Sequence, residues 1–466
     1  MGQRRLVPLL ALLLGCPSGD PAPDPTPAPR APYAADHCAY FLTGEIDLEG
    51  TDADGDGVSN SWDHCPNNPE EWLDSDRDGI GNRSDPDLDG DGVPNDDDPD
   101  RDDDGVSDAD EAAEGTDPSD PSSVPGLARY DGDPGVFDAN AGWYAGDLHI
   151  HTEYSHDSSV PVADWVPPAM DAGLDFLWIT DHRTFQAPFD PTFDEDRVLL
   201  VPGIEWGGGG HAGMGGIRTN NEANYDDPAD VVRAWTLARM QGGVQSVNHY
   251  GDDVDYWDAL FAAAPELLGM LDVVEVWNAW WPVSQGGNDD TIAFWQGLLN
   301  AGYRIGAVGG SDVHFAALPI GFPTTVVWAD TLSIPGINAG LRAGRSYVTQ
   351  SFPYRDGELF GYAARPALDF RADADGDGTF EAMLGDTVPS GTVDFQLSVT
   401  FAHGPVLLIR DGVEIARFDT HDPGADIAPV FTDDAPAASW YRVEMRATAE
   451  PGADPLLLSS PIYVDP

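Results

Sequence analysis

Seven of the eleven histidines fall between positions 149 and 314, and all but His156 close or follow a short apolar run. The runs are GDLHIH (146–151), DFLWITDH (175–182), VLLVPGIE (198–205) with GGGGH behind it (207–211), GVQSVNH (243–249) and RIGAVGGSDVH (304–314). Strands are expected at 145–150, 175–180, 198–204, 244–248, 271–277, 304–311 and 324–329. Amphipathic segments at 163–173, 228–242, 255–269, 289–301 and 337–344 lie between several of them, which predicts parallel βα units of the kind that close into a barrel. Period-two alternation puts His149 and His151 on one face of their strand. The C-terminal ends of such strands are where α/β barrels gather their active sites. A single histidine there is ordinarily a hydrogen-bonded core residue. Six of them, His149, His151, His182, His211, His249 and His314, with Asp157, Glu205 and Asp312, are too costly to bury side by side unless paired or metallated. Nine nitrogen and oxygen donors exceed what one ion uses and suit Zn²⁺, Mn²⁺ or Fe²⁺.

The pieces DLHIHTEYSHD, TDH after an apolar strand, the Glu of PGIEW, the His of NHY and the closing GSDVH together resemble the PHP family of metallohydrolases, and within it the CehA/McbA branch. GRSYVT (344–349) and SSPIYV resemble that branch too, so the likeness spans roughly 141–466. It implies an α/β fold with a distorted (β/α)7 barrel, two or three metal ions, and hydrolysis of phosphate esters or, in this branch, carbamate-type esters. Carried over, His149, His151, Glu205 and Asp312 would hold one ion, and Glu205, His211 and His249 a second with Glu205 bridging. Asp157, His182 and His314 would hold a third. NHY stands where His-Pro is more frequent, which leaves the ligand in place. A hydroxide between two such ions is nucleophilic at neutral pH, so no serine or cysteine nucleophile is needed. Glu205, Asp312 and Arg345 are the candidate catalytic residues; Arg345 either binds an anionic substrate group or caps a helix. Glu275 and Asn278 are candidates for orienting ligands. Asp147 either orients a ligand or holds a loop, and Trp277, Trp280 and Trp281 either wall a pocket or pack in the core. Loops 183–198, 206–227 and 278–288 carry no readable motif.

Ahead of the barrel, residues 50–120 contain four acidic dodecamers: DADGDGVSNSWD (52–63), DSDRDGIGNRSD (74–85), DLDGDGVPNDDD (87–98) and DRDDDGVSDADE (100–111). Asp at loop positions 1, 3 and 5, Gly at 6 and an acid at 12 is a calcium-loop pattern. The candidate ligands are Asp52, Asp54, Asp56 and Asp63; Asp74, Asp76, Asp78 and Asp85; Asp87, Asp89, Asp91 and Asp98; and Asp100, Asp102, Asp104 and Glu111. No long flanking helices appear, so these are not ordinary EF-hands. The first copy, running into Cys-Pro, resembles a thrombospondin type 3 repeat, which implies a calcium-threaded stalk with little apolar core. Without calcium, such a segment reads as a disordered acidic linker. An irregular fifth loop at 373–384 offers Asp373, Asp375 and Asp377. Residues 353–466 read as short strands with turn signals, the pattern of a β-sandwich. The resemblance implies a PHP domain over 141–352.

The start, MGQRRLVPLLALLLGC, joins Arg4 and Arg5 to an apolar run too short to span a bilayer. Its end resembles a lipobox, which implies a signal peptide over 1–16, acylation of Cys16 and anchoring in a bacterial cell envelope. A Pro- and Ala-rich spacer over 17–49 fits a tether. Cys38 and Cys65 either pair or stay apart. All 22 basic residues are arginine, against 82 acidic ones, a formal charge of −60. That balance repels nucleic-acid polymers and anionic lipid surfaces. The expected partner is a small-molecule substrate, with membrane contact through the lipid anchor only. The reading is therefore an exported metallohydrolase, a phosphoesterase first and a carbamate or carboxylic ester hydrolase second. Its rival is a calcium-dependent surface adhesion protein with a non-catalytic barrel.

Overall fold

The computed structural model describes residues 53–466, other than 57, 59–61, 66, 77, 133, 222, 280, 351–353, 356–357, 360–364, 421–423 and 449–452. The expectations for the signal segment, Cys16, Cys38, the spacer and Asp52 lie outside these residues. Cys65 is disulfide-bonded.

Nine strands build the α/β part: β1 Gly142–Ile150, β2 Phe176–Ile179, β3 Leu199–Gly207, β4 His211–Gly215, β5 Val244–Asn248, β6 Val273–Asn278, β7 Gly306–Gly310, β8 Thr324–Ala329 and β9 Ser346–Thr349. Their order in the sheet is β9-β8-β1-β2-β3-β4-β5-β6-β7. The sheet curls until the end of β7 meets β1: Ile150 and Val313 form a parallel bridge, and His151 N–H donates to Val313 O at 3.1 Å. The middle strands are buried on both faces, which is why LLVPGI and VVEVW read as unbroken apolar runs. Among the described residues, the helices of more than one turn are α1 Asp108–Glu114, α2 Val166–Ala172, α3 Pro228–Met240, α4 Val254–Ala263, α5 Trp281–Asn300 and α6 Ile334–Arg342. The start of α3 is set locally: the Asp227 carboxylate accepts from Ala229 N–H at 3.1 Å, and Pro228 occupies the first turn, where its missing donor costs nothing.

Three strands depart from the parallel expectation. β4 runs antiparallel to both β3 and β5, and β8 and β9 are antiparallel to their neighbours. The glycine run expected as a loop is instead the tip of a β3–β4 hairpin, with Gly207 opposite His211.

The C-terminal strands do not stop at 352/353. Strand Pro455–Ser459 pairs with β9, Leu458 opposite Val348, and carries the barrel's sheet on through Ser439–Arg446 and Ile462–Asp465. A second sheet, of Ala367–Asp373, Gly391–Ala402, Ala425–Ile427 and Val430–Ala435, faces it, with Phe395 stacked on Tyr441 at 4.2 Å. Behind this junction Arg442 is buried against Glu444 at 2.6 Å, its guanidinium 5.4 Å from the Trp295 ring of α5. Burial opposes the Glu444 charge, but Arg442 and Arg446 outweigh it and hold the carboxyl below its ordinary range. Glu444→Gln strands a buried guanidinium. The expected cost is about 3–5 kcal/mol in denaturant unfolding; a loss of under about 1 kcal/mol would show that the pair does not hold the junction.

The acidic segment also differs from a free stalk. Trp62 and Tyr130 belong to the same apolar core as the barrel. Trp62 Nε1 donates to Gly132 O at 2.7 Å, and the Arg218 guanidinium lies 5.0 Å from the Trp62 ring. The described repeats are laid against the barrel.

Candidate metal centre

All nine expected ligands meet at the end of the curled sheet, and Glu205 is at their centre. It is buried at the end of β3 and touches five imidazoles. Its Oε1 lies 3.0 Å from His149 Nε2, 3.2 Å from His211 Nδ1 and 3.1 Å from His249 Nε2. Its Oε2 lies 2.9 Å from His182 Nδ1 and 3.4 Å from His151 Nε2. Asp312 Oδ1 stands 3.5 Å from His149 Nε2 and 3.3 Å from His151 Nε2. On the outer side, Asp157 Oδ2 is 3.2 Å from His182 Nε2 and 3.3 Å from His314 Nε2. The His151 and His314 rings stack at 3.9 Å.

Donor atoms lie within 4.8 Å of one another in the groups His151–Asp157–His182–His314, His149–His151–Asp312, His149–Glu205–His249 and His182–Glu205–His211. The membership overlaps the expected three-ion partition and shares His149, His151 and His182, as well as Glu205, between groups. Buried His149 Nε2, His151 Nε2 and Glu205 Oε2 face one another across the cluster, yet none makes a well-aligned hydrogen bond. Buried polar atoms are rarely left so, and their convergence on one point is what a cation site requires.

The charge balance agrees. Burial opposes the charge on Glu205, yet the imidazoles, His149 foremost, hold its carboxyl well below the usual range. Burial likewise opposes Asp312, and His149 and His151 pull its carboxyl down. Burial lowers His151 to about 4, a neutral ring ready to bind a metal. His249 is opposed by burial but raised to about 9, chiefly by Glu205. Protons there balance charge that bound cations would balance instead.

A polar layer holds the donors. Glu275 Oε1 is 2.9 Å from His149 Nδ1, leaving Nε2 facing the cluster, and Glu275 Oε2 accepts from His249 N–H at 3.0 Å. Asn278 donates to Asp312 Oδ2 at 3.2 Å. Asp147 holds loops: it accepts from Ser311 N–H at 2.9 Å and Gly321 N–H at 2.7 Å. Asp181, the Asp of TDH, to which the sequence assigned no role, accepts from Thr152 N–H at 2.5 Å and Thr152 Oγ1 at 2.7 Å, pinning the turn after β1. Trp277 is buried packing; Trp280 and the Trp281 side chain lie outside the described residues. His156 is 77% exposed, 3.8 Å from Asp157.

Arg345, expected at the cluster, does not reach it. Its carbonyl accepts from Trp328 N–H, and Trp328 pairs with Trp143 at the start of β1. It therefore stands at the opposite end of the sheet, facing Asp386 at 3.4 Å. β9 runs antiparallel to β8, so its first residues lie at the bottom of the barrel, not at the cluster.

The acidic loops share one geometry. Position 1 accepts from the N–H of position 6 in Asp74/Gly79, Asp87/Gly92 and Asp100/Gly105 at 3.1 Å, and in Asp373/Gly378 at 2.9 Å. Those position-6 glycines have φ of 93°, 93°, 87° and 90°, a region other residues rarely enter. Position 5 accepts from position 7 in Asp56/Val58, Asp78/Ile80, Asp91/Val93, Asp104/Val106 and Asp377/Thr379, at 2.6–2.8 Å. In the loop opened by Asp100, one oxygen each of Asp100, Asp102 and Asp104 and both of Glu111 are buried without hydrogen-bond partners. Asp54, Asp56 and Asp63 also bring donor atoms within 4.8 Å. Asp76, Asp85, Asp89 and Asp98 sit in the same register within their loops, and Asp375 accepts from Asp377 N–H at 3.1 Å.

No protein-family model matches the chain, and no curated protein matches it. Among solved structures, it is similar to a two-domain protein of Bacteroides vulgatus described as containing a predicted PHP-like metal-dependent phosphoesterase. The identity is 17% and the TM-score 0.35, over 69% of this chain and 96% of that one. It is also similar to PsfC of Pseudomonas syringae, at 16% identity and a TM-score of 0.32, over 45% of this chain and 93% of that one. At such scores the likenesses carry no weight, and the reading rests on the cluster itself.

Proposed function

We propose that the chain is an exported metal-dependent hydrolase acting on phosphoesters of small soluble substrates. The observation that carries this is the meeting of six imidazoles with Asp157, Glu205 and Asp312, five of the rings touching Glu205, with buried ligand atoms that make no well-aligned hydrogen bond. His149, His151, Glu205 and Asp312, then Glu205, His211 and His249, then Asp157, His182 and His314 would hold two or three Zn²⁺, Mn²⁺ or Fe²⁺ ions. Such ions lower the pKa of water to about 7 and stabilise charge developing on oxygen. The chain's own part is to keep Glu205 and Asp312 ionised despite burial, to keep His151 neutral, and to fix ring orientation through Glu275. The test is the transition-metal content of the purified protein after calcium chelation, followed by a panel of phosphoesters and carbamates. Two or three ions per chain with phosphoester turnover is the expected result.

Carbamate or carboxylic ester hydrolysis is the second reading. It is favoured by Phe315 and Leu318, 61% and 50% exposed just beyond His314, an apolar rim suited to an apolar ester group. Failure to take up any transition metal would leave the calcium-dependent adhesion protein as the function.

Export and lipid anchoring at Cys16 belong to the same proposal. Cys16→Ser, with the signal still cleaved, is expected to move the protein out of the membrane fraction; unchanged partitioning would sink the anchor. The charge of −60 supports a substrate that is not a nucleic-acid polymer, and salt-sensitive retention of DNA or RNA would refute that.

A further inference from the structure

Four residues other than glycine with positive φ stand at strand ends around the cluster: Arg183 at 56°, His249 at 27°, Ala279 at 52° and Asp312 at 51°. Two of them are cluster members. Left-handed backbone is disfavoured for such residues and persists where the surroundings impose it, most often at functional sites. For Arg183 the imposing contact is visible: its N–H donates to Glu205 O at 2.9 Å, beside a parallel bridge between His182 and Glu205. The strand that presents the central carboxylate thus also fixes the arginine.

Arg183 is the one arginine next in sequence to a cluster residue, and it is exposed. Its guanidinium carbon lies 5.3 Å from the centre of the Tyr225 ring. Tyr225 packs on the hairpin tip that leads into His211: a Cβ at Gly208 would come within 2.5 Å of its ring. Tyr256 packs on the same tip, 2.7 Å from a Cβ at Gly209 and 2.4 Å from one at Gly210, and its hydroxyl donates to Tyr225 O at 3.0 Å. The glycine run is therefore a seat for two tyrosines, which form a wall beside the cluster. The guanidinium lies against that wall.

We propose that Arg183, stacked on Tyr225, is the substrate-binding residue that takes an anionic oxygen of the ester. A guanidinium offers paired donors that match an oxyanion, and the ring limits the freedom it loses on binding. In a chain this acidic, a phosphoryl or carboxylate oxygen approaching the cluster needs such a partner. The inference rests on the hydrolase reading and assigns that site its recognition of an oxyanion.

The test uses the metal-loaded full chain, with inorganic phosphate binding measured by calorimetry beside KM and kcat for a phosphoester. Arg183→Ala and Arg183→Gly are each expected to weaken phosphate binding and raise KM about tenfold or more. The metal content should stay at the wild-type value. Arg183→Gly should also raise Tm by about 1–3 °C, because glycine accepts this backbone conformation. Tyr225→Phe keeps the ring and should bind phosphate as the wild type does, while Tyr225→Ala should weaken binding. Phosphate affinity and KM within twofold of wild type in Arg183→Ala, with metals retained, would overturn the assignment. So would a metal-loaded wild type that binds no phosphate. A wild type that binds metals and phosphate, loses phosphate on Arg183→Ala, yet hydrolyses no ester would leave the subsite standing and sink the hydrolase reading.

Discussion

Glu205→Gln is expected to lose at least one transition-metal ion per chain and to lower turnover roughly a thousandfold or more. Five imidazoles approach this one carboxylate within 3.4 Å, from β1, β4 and the ends of β2 and β5. The amide keeps the volume and one acceptor oxygen but removes the charge, and its NH₂ points a donor at nitrogens that must be free to bind metal. The same carboxylate is foremost among the groups that raise His149, His182 and His249 against burial. With it gone, burial drives those rings toward neutrality, so the fold itself has little reason to fail. Loss should therefore appear in metal content and kcat, with the far-ultraviolet circular dichroism unchanged. Asp157→Asn is the graded control. Asp157 is partly exposed, and the cluster rings nearest to it are the outer His182 and His314, so it should cost fewer ions and less rate. A Glu205→Gln protein with its full metal complement and wild-type turnover would remove the cluster from the chemistry.

How far the cluster could be read in advance depended on where each ligand stands relative to a strand. His149, His151, Glu205, His249 and Asp312 close apolar runs that are strands, so their common end followed from period and direction alone. His211 opens a strand, after four glycines whose local pattern says turn; only the packing of Tyr225 and Tyr256 explains the glycines, and those contacts lie far along the chain. Glu275 sits inside an apolar strand, where a buried acid is a visible oddity, and it does orient His149. Asp181 stands inside TDH, but the motif points to its His, and the role of the Asp depends on Thr152, which lies on another strand's turn. Arg345 was misplaced because its motif gives a residue type and not a strand direction; the reversal at β8 and β9 is settled by pairing that no local pattern encodes. The expected boundary at 352/353 fails to part the sheets for a similar reason, since Pro455–Ser459 returns from the end of the chain to pair with β9.

Chelating calcium from the full chain is expected to speed proteolysis within 53–120 and to lower the Tm of the barrel with it. The coupling is the reason for the second effect: Trp62 shares the barrel's core, and a Cβ at Gly105 would sit 3.0 Å from Arg233 Cδ on α3. Each site filled at a hundredfold excess over its Kd contributes about 2.7 kcal/mol, so losing four is a large change. The pH dependence is distinctive. Burial, then repulsion among neighbouring acids, pushes Asp102 up to about 9 and Glu111 and Asp89 up to about 7. Unfolded carboxylates titrate near about 4, so the calcium-free folded chain binds more protons than the unfolded one between these values. Its stability is then greatest at low pH and is lost as pH rises from about 4 through 7, and for Asp102 through 9. Calcium replaces those protons as the balancing charge. The gap in Tm between calcium-loaded and chelated protein should therefore widen from pH 5 to pH 8, and adding calcium back should close it. Equal digestion and equal Tm with and without calcium at both pH values would show that the loops hold their shape by hydrogen bonds alone and that the unpaired oxygens of Asp102, Asp104 and Glu111 await no cation.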